Sequence, residues 1–271
     1  MTAADAQRPL HREVRGGRAR FPWSRLLSPP LISLAGLIAL WWVSSLAQPR
    51  HILPTPFDVL GEIWRITIVT GELWAALQIS LVSLLIGGGL ALVIGVTLGV
   101  LMGAQRTVEH ALDMYVIGLY VAPVSALTPL FIFWLGIDLA PRVATVFVFA
   151  VPQVIITCFR GARSTPRTHI QVARAFRASN REIFTKVIVP HEIPYIVTAL
   201  RLGLGQAIKG MVLAELLVST TGLGLLLNTY SQLFDTAALI AVVLILMFIG
   251  VIGTALVARI ETAITPWRKS P

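Results

Sequence analysis

Long apolar runs separated by short polar segments dominate this chain. The runs are Leu31–Ala47, Leu73–Ala104, Ala111–Gly136, Arg142–Phe159, about Tyr195–Val218 and about Ala237–Arg259. Most of them approach or exceed the roughly 20 residues that carry a helix across a bilayer. Six transmembrane helices and an all-α fold are therefore expected, with one membrane domain over residues 31–267. The first run is the shortest and ends in Ser45-Leu46-Ala47, which superficially resembles a leader cleavage site. Its pair Trp41-Trp42 suits an interfacial anchor better, and the segment before it is long for a leader.

Small residues and prolines refine this pattern. Gly87, Ala91, Gly95, Gly99 and Gly103 recur at every fourth position of the second run, a stripe on one helical face that lets another helix approach closely. Pro123 and Pro129 interrupt the third run and Pro152 the fourth, so both helices should kink and free some backbone carbonyls. At membrane depth such carbonyls need protein or water beside them. Pro123, Ser125, Thr128 and Pro129 are accordingly candidate lining of a translocation pathway. Between the first two runs, ILPTPFDVLGEIW offers Thr55 as a cap, Pro56 at the first helical position and apolar Val59, Leu60 and Ile63, the signature of an interfacial helix.

Composition supports the membrane assignment. Hydrophobic residues make up 56% of the 271 positions and charged residues 13%, too little polar surface for a soluble chain of this length. The net charge of +9 does not point to nucleic acid, because the basic clusters lack interleaved aromatics and follow topology instead. Residues 1–30 carry Arg8, Arg12, Arg15, Arg18, Arg20 and Arg25 among scattered glycine and proline and read as a disordered tail; residues 268–271 form a second, short one. With both termini in the cytoplasm, the inner segments hold these arginines, Arg106, the Arg160–Lys186 cluster, Arg259, Arg268 and Lys269, while the outer ones hold Arg50, Arg65 and borderline Arg142. That bias favours a multi-pass membrane protein with both termini inside.

The stretch from Thr165 to Gly203 is basic and helix-patterned, and this orientation makes it cytoplasmic. Thr165 can cap a first helix with Pro166 at its opening position, and Ser179-Asn180-Arg181-Glu182 has capping-box spacing to start a second at Asn180. Val172, Phe176, Ile183 and Val187 offer apolar positions for packing, and Pro190 and Pro194 mark the exit toward the fifth span. From these residues alone, the stretch is either a docking element or a solvated basic loop lying on anionic lipid.

The run QVARAFRASNREIFTKVIVPHEIPYIVTALRLGLG resembles the EAA loop of bacterial ABC importer permeases, within the nitrate, sulfonate and taurine branch. ILPTPFDV is similar to that branch's entry segment, LTPLFIFWLGI to its third span, and GMVLAELLVSTTGLG to its fifth span and following loop, so the resemblance covers about Leu53 to Trp267. It implies a coupling helix, within a loop at about residues 161–194, that docks on a cytoplasmic ATPase subunit. It also implies a homodimeric pore in the bilayer, and an extracytoplasmic solute-binding protein on the outer loops. By resemblance, Gln171, Val172 and Ala173 occupy the Glu-Ala-Ala positions, followed by Arg174 and Phe176. Arg177 stands at the family's glycine, and Ala178 and Ser179 match the residues after it. That glycine suits a turn with positive φ, which costs another residue about 1 kcal/mol. Either the turn is ordinary here, or strain is tolerated, or the docking partner differs in shape.

The remaining chemistry is sparse. No GxxxxGK[ST] run is present, so ATP and Mg are expected on the partner ATPase, with no cofactor bound by this chain. His11, His51, His110, His169 and His191 lack metal-ligand spacing, and Cys158 lies alone in an apolar run, so no metal site is expected. Nothing resembles a nucleophile elbow or paired acid and base carboxylates, so a non-catalytic subunit is expected. Arg201, Lys209 and Glu215 are the ionisable residues in or beside the fifth run; such groups mark a pathway, a helix pair or a snorkelling side chain. Lys209 and Glu215 are the pathway candidates, with Lys209 favouring an anion such as a sulfonate, taurine or nitrate. An ion-coupled secondary transporter would instead show acidic or histidine relays and an internal repeat.

Overall fold

A computed structural model describes residues 29–218 and 221–264, and both tail assignments fall mostly outside them. The described residues are helical, without strands. They form α1 (Pro29–Leu46), α2 (Pro56–Trp64), α3 (Glu72–Ala104), α4 (Arg106–Val121), α5 (Val124–Leu135) and α6 (Leu139–Arg163). The order continues with α7 (Arg167–Ala175), α8 (Asn180–Ile183), α9 (Val189–Val218), α10 (Leu223–Gln232) and α11 (Thr236–Ile264). Among these, α3, α6, Asn180–Leu217 and α11 are long and apolar enough to cross a membrane, and the bent pair α4 and α5 would make a fifth span. Helix α1 is apolar over Leu31–Leu46 but shorter.

The third run corrects the expected kink. It is broken in two, with α4 and α5 bent 96° apart, because Pro123 follows an extended Ala122 (ψ 139°) and lacks the N–H that would continue the helix. Pro129 and Pro152, by contrast, lie inside α5 and α6. The fifth span also starts earlier than Tyr195. A π-helical turn over Phe184–Ile188 joins α8 to α9, so Pro190, just after that turn, and Pro194 both lie within one continuous helical segment rather than at its boundary.

The core is the trio α3, α6 and α9, and the small-residue stripe explains its closeness. Gly87, Ala91, Gly95 and Gly99 are buried. A Cβ built on Gly87 would lie 2.7 Å from Val146 Cβ, one on Gly95 2.7 Å from Val154 Cγ1, and one on Gly99 2.6 Å from the Ile155 carbonyl oxygen. Gly103 meets Ala162 and Phe159 in the same way. Gly95→Leu should therefore separate α3 from α6 and cost about 3 kcal/mol or more, visible as loss of monodisperse protein on size exclusion in detergent; an unchanged profile and melting point would refute the packing role.

Helix α2 forms as expected. Thr55 Oγ1 accepts from the Asp58 N–H at 3.2 Å, and the Thr55 N–H donates to Asp58 Oδ2 at 3.0 Å. The Thr55 hydroxyl, which donates to Asp58 Oδ2 at 2.8 Å, and then the Thr55 N–H hold the Asp58 carboxyl below its ordinary pKa. Val59 is buried, Leu60 exposed and Ile63 half-buried, with α11 packed against α2.

Candidate functional site

Two features stand at opposite ends of the bundle. At one end, α7 and α8 form an elbow. The capping box at Ser179 starts α8: Ser179 Oγ accepts from the Glu182 N–H at 3.3 Å, and the Ser179 N–H donates to Glu182 Oε2 at 3.0 Å. The Ser179 backbone and hydroxyl, aided by Lys186, hold the Glu182 carboxyl down to about 2. A depressed carboxyl stabilises the fold above its ordinary value of 4.5 and loses that contribution as pH falls through about 2, so the box is intact at neutral pH.

The cap expected from Thr165 is absent. Pro166 has ψ 129°, so the helix starts one residue later at Arg167, with Pro166 in the cap position and no side-chain cap bond. Thr165 Oγ1 is instead buried without a hydrogen-bond partner.

Arg177 adopts φ +58°, the left-handed geometry that its glycine-like position suggested. Its N–H donates to the Arg174 carbonyl at 2.8 Å, and the Ala178 N–H donates to the Ala173 carbonyl at 3.0 Å. This pair of bonds is the Schellman termination of a helix, and glycine fills its left-handed position best. Arg177→Gly should relieve about 1 kcal/mol of strain and keep both ATPase association and transport; loss of the ATPase in a pull-down would show that the arginine itself is needed.

The apolar positions of this segment divide. Ile183 is buried and Val187 half-buried, and Ile183 and Ile188 join a core of Val100, Val154, Cys158, Ala162 and Ala199. Val172 and Phe176 do not pack as expected; they are 56% and 83% exposed. The reason is that α7 lies at the rim of the bundle with no fully buried residue: Ile170 and Ala173 pack half-buried against the core, and Val172 and Phe176 are left to solvent. Gln171, Arg174 and Ala175 are exposed beside them, while Ala173 and Ala178 are half-buried. Pro190 is exposed and Pro194 half-buried on α9.

At the other end, Glu215 is fully buried. Its Oε2 accepts from Ser80 Oγ at 2.8 Å and from the Gly224 N–H at 2.9 Å, and Ser80 Oγ accepts from the Leu223 N–H at 3.0 Å. The carboxylate thus caps α10. Gly222 (φ +91°) wraps around it, and a Cβ there would lie 2.6 Å from Oε2. Arg142, also buried, donates to Thr221 Oγ1 at 2.8 Å and to the Asp138 carbonyl at 3.2 Å. Glu215 anchors a loop and lies outside the cavities that the other pathway candidates line.

The other pathway candidates do not converge either. Pro123 and Ser125 line a cavity of about 290 Å³ at the α4–α5 break, with Tyr120, Phe149 and Gln206. Thr128 is buried, bonded to the Val124 carbonyl at 3.4 Å, and Pro129 is exposed. Lys209 lines a separate groove of about 640 Å³ between α9 and α11. Arg201 pairs with Glu261 of α11, the helix-pairing alternative. Sequence reasoning missed Ser80, Gln206 and Glu192, the last fully buried against Gly161. A polar residue in an apolar run was the available signal for Ser80 and Gln206, whereas Glu192 precedes the fifth run. Among the described residues no group of His, Cys, Asp and Glu side chains could hold a metal.

An all-helical bundle with four helices of membrane-crossing length and an exposed helical segment at one end defines a multi-pass membrane protein. The chain belongs to the family of binding-protein-dependent transport system inner membrane components, whose pattern matches residues 91–266. It is 31% identical over 256 residues to SsuC of Bacillus subtilis, named for aliphatic sulfonates transport, covering 94% of this chain and 91% of that one. It is 28% identical to the formylaminopyrimidine transport permease ThiX of Halalkalibacterium halodurans (90% and 96% covered) and 28% identical to the taurine transport permease TauC of Escherichia coli (92% of each). The fold matches that of a chain in an inward-facing structure of the MetNI methionine ABC transporter, with TM-score 0.65 at 20% identity over 73% of this chain and 98% of that one. The chain is thus a non-catalytic ABC importer permease subunit of the sulfonate, taurine and nitrate branch.

Proposed function

We propose that this permease forms, as a homodimer, the pore through which a small anion such as an aliphatic sulfonate, taurine or nitrate enters the cytoplasm. In this reading the termini and the elbow are cytoplasmic, each copy offers α7 to one ATPase subunit that binds ATP and Mg, and a solute-binding protein delivers substrate to the opposite face. The supporting observation is the elbow: α7 ends in a left-handed Arg177 and presents Val172 and Phe176 to solvent, an aromatic anchor without an intramolecular site. Closure of the ATPase dimer would pull α7, and the rigid capping box and buried Ile183 and Ile188 would carry the motion into α9. Uptake should therefore vanish when the P-loop lysine of the co-expressed ATPase is replaced; persisting uptake would favour an ion-coupled transporter.

The preference for an anion rests on Lys209. It lies two thirds of the way along α9, in a groove walled by Ile208, Val212, Val243 and Met247, with no ion-pair partner among the described residues. An ammonium at membrane depth is costly without a counter-charge, and a passing anion supplies one. Lys209→Met should slow uptake of the anion about tenfold, the equivalent of about 1.4 kcal/mol, with assembly intact; unchanged uptake removes this role. The likeness to ThiX favours a second reading, the same pore for a neutral or cationic heterocycle, under which Lys209→Met leaves uptake unchanged.

A further inference from the structure

A groove of about 550 Å³ lies inside the elbow, between α7, α8, the π-helical turn and the last residues of α3. Its polar wall is Arg174, Arg181, Asn180 and Gln105, and its apolar wall includes Ile170 and Phe184. No carboxylate lines it. Neither arginine has an acidic partner among the described residues, and the nearest acid in sequence, Glu182, is already bonded to Ser179 and Lys186. Two guanidinium groups on one groove without a counter-charge repel each other, and each carries planar donors suited to phosphate oxygens. In the proposed orientation the groove lies at the cytoplasmic end of α3, beside Ala104, the side on which anionic lipids attract basic segments. Its division into a cationic and an apolar wall matches a phosphodiester with the first carbons of its chains.

We propose that this groove binds a phosphate-bearing anion between Arg174 and Arg181, supplied by the headgroup of an anionic phospholipid. The site is new to the chain and independent of the transported substrate. Because α7 has no fully buried residue, an occupant bridging Arg174 of α7 to Arg181 of α8 would fix the angle of α7 relative to the spans.

The test is native mass spectrometry of the full chain, purified in mild detergent and exposed to equimolar phosphatidylglycerol and phosphatidylcholine. The wild type should retain phosphatidylglycerol preferentially. Arg174→Gln/Arg181→Gln should bind it about thirtyfold less tightly, at about 1 kcal/mol per surface arginine, while Arg174→Lys/Arg181→Lys keeps much of the preference and shows that folding is intact. In lipid-free detergent, inorganic phosphate is titrated as a separate arm. Tight phosphate binding that the Gln variant loses, without preference for the lipid, assigns the source to a soluble phosphate and keeps the site. Retention of phosphatidylglycerol by the Gln variant at wild-type level overturns the proposal. So does a Gln variant that keeps the lipid but sheds the ATPase, which would make the two arginines a protein contact.

Discussion

Phe176→Asp is expected to detach this permease from its ATPase and abolish ATP-driven uptake while leaving the bundle folded. Phe176 is 83% exposed at the end of α7, with Val172 56% exposed one helical turn earlier. Burying one phenylalanine contributes about 1.5–3 kcal/mol, and aromatic anchors of this kind commonly carry 2 kcal/mol or more of an interface. Aspartate removes that gain and adds a charge that resists desolvation, so affinity should fall at least about a hundredfold. Because the side chain contributes to no internal core, the melting point of the isolated permease should barely move. Tagged permease should recover no ATPase, and transport into proteoliposomes should fall to background. Wild-type recovery of the ATPase would mean that α7 docks through another face.

Glu215→Ala should have the opposite signature, a collapse of stability with the elbow untouched. Glu215 joins α3 through Ser80 and α10 through the Gly224 N–H. Removing it leaves the buried Ser80 hydroxyl and the buried Gly224 N–H without their acceptor, at a cost of about 1–3 kcal/mol for each group. For a chain of this size the melting point should drop by about 10 °C. Gly222→Ala should give a similar loss, since φ +91° and a Cβ at 2.6 Å from Oε2 exclude any side chain there. Thermal melts in detergent decide the matter: if Glu215→Ala melts like the wild type and fails only in transport, the carboxylate belongs to the pathway after all.

What could be read from the sequence was mostly local or periodic. The caps at Thr55 and Ser179 follow from residues three apart, and the glycine stripe from a period of four; each is written in adjacent positions. The left-handed Arg177 came through a family likeness, since no propensity scale would place arginine there. The break at Pro123 was read as a kink because proline removes one hydrogen bond wherever it sits, and only the neighbouring helices decide whether the chain then bends a little or turns by 96°. Thr165 illustrates a failure of local reasoning: spacing favoured a cap, but the ψ of Pro166 and the burial of the hydroxyl moved the helix start. The Glu215–Ser80 bond joins residues 135 positions apart, beyond any local pattern, so a polar residue in an apolar run could be flagged but not paired.

The most direct measurement is site-specific photocrosslinking from position 176, with a photoreactive amino acid in place of Phe176, in membranes containing the complete transporter. The account predicts one dominant adduct, between the permease and a P-loop ATPase subunit, that weakens when α7 is further altered by Val172→Asp. Crosslinks only to lipid, or to the permease itself, would contradict it.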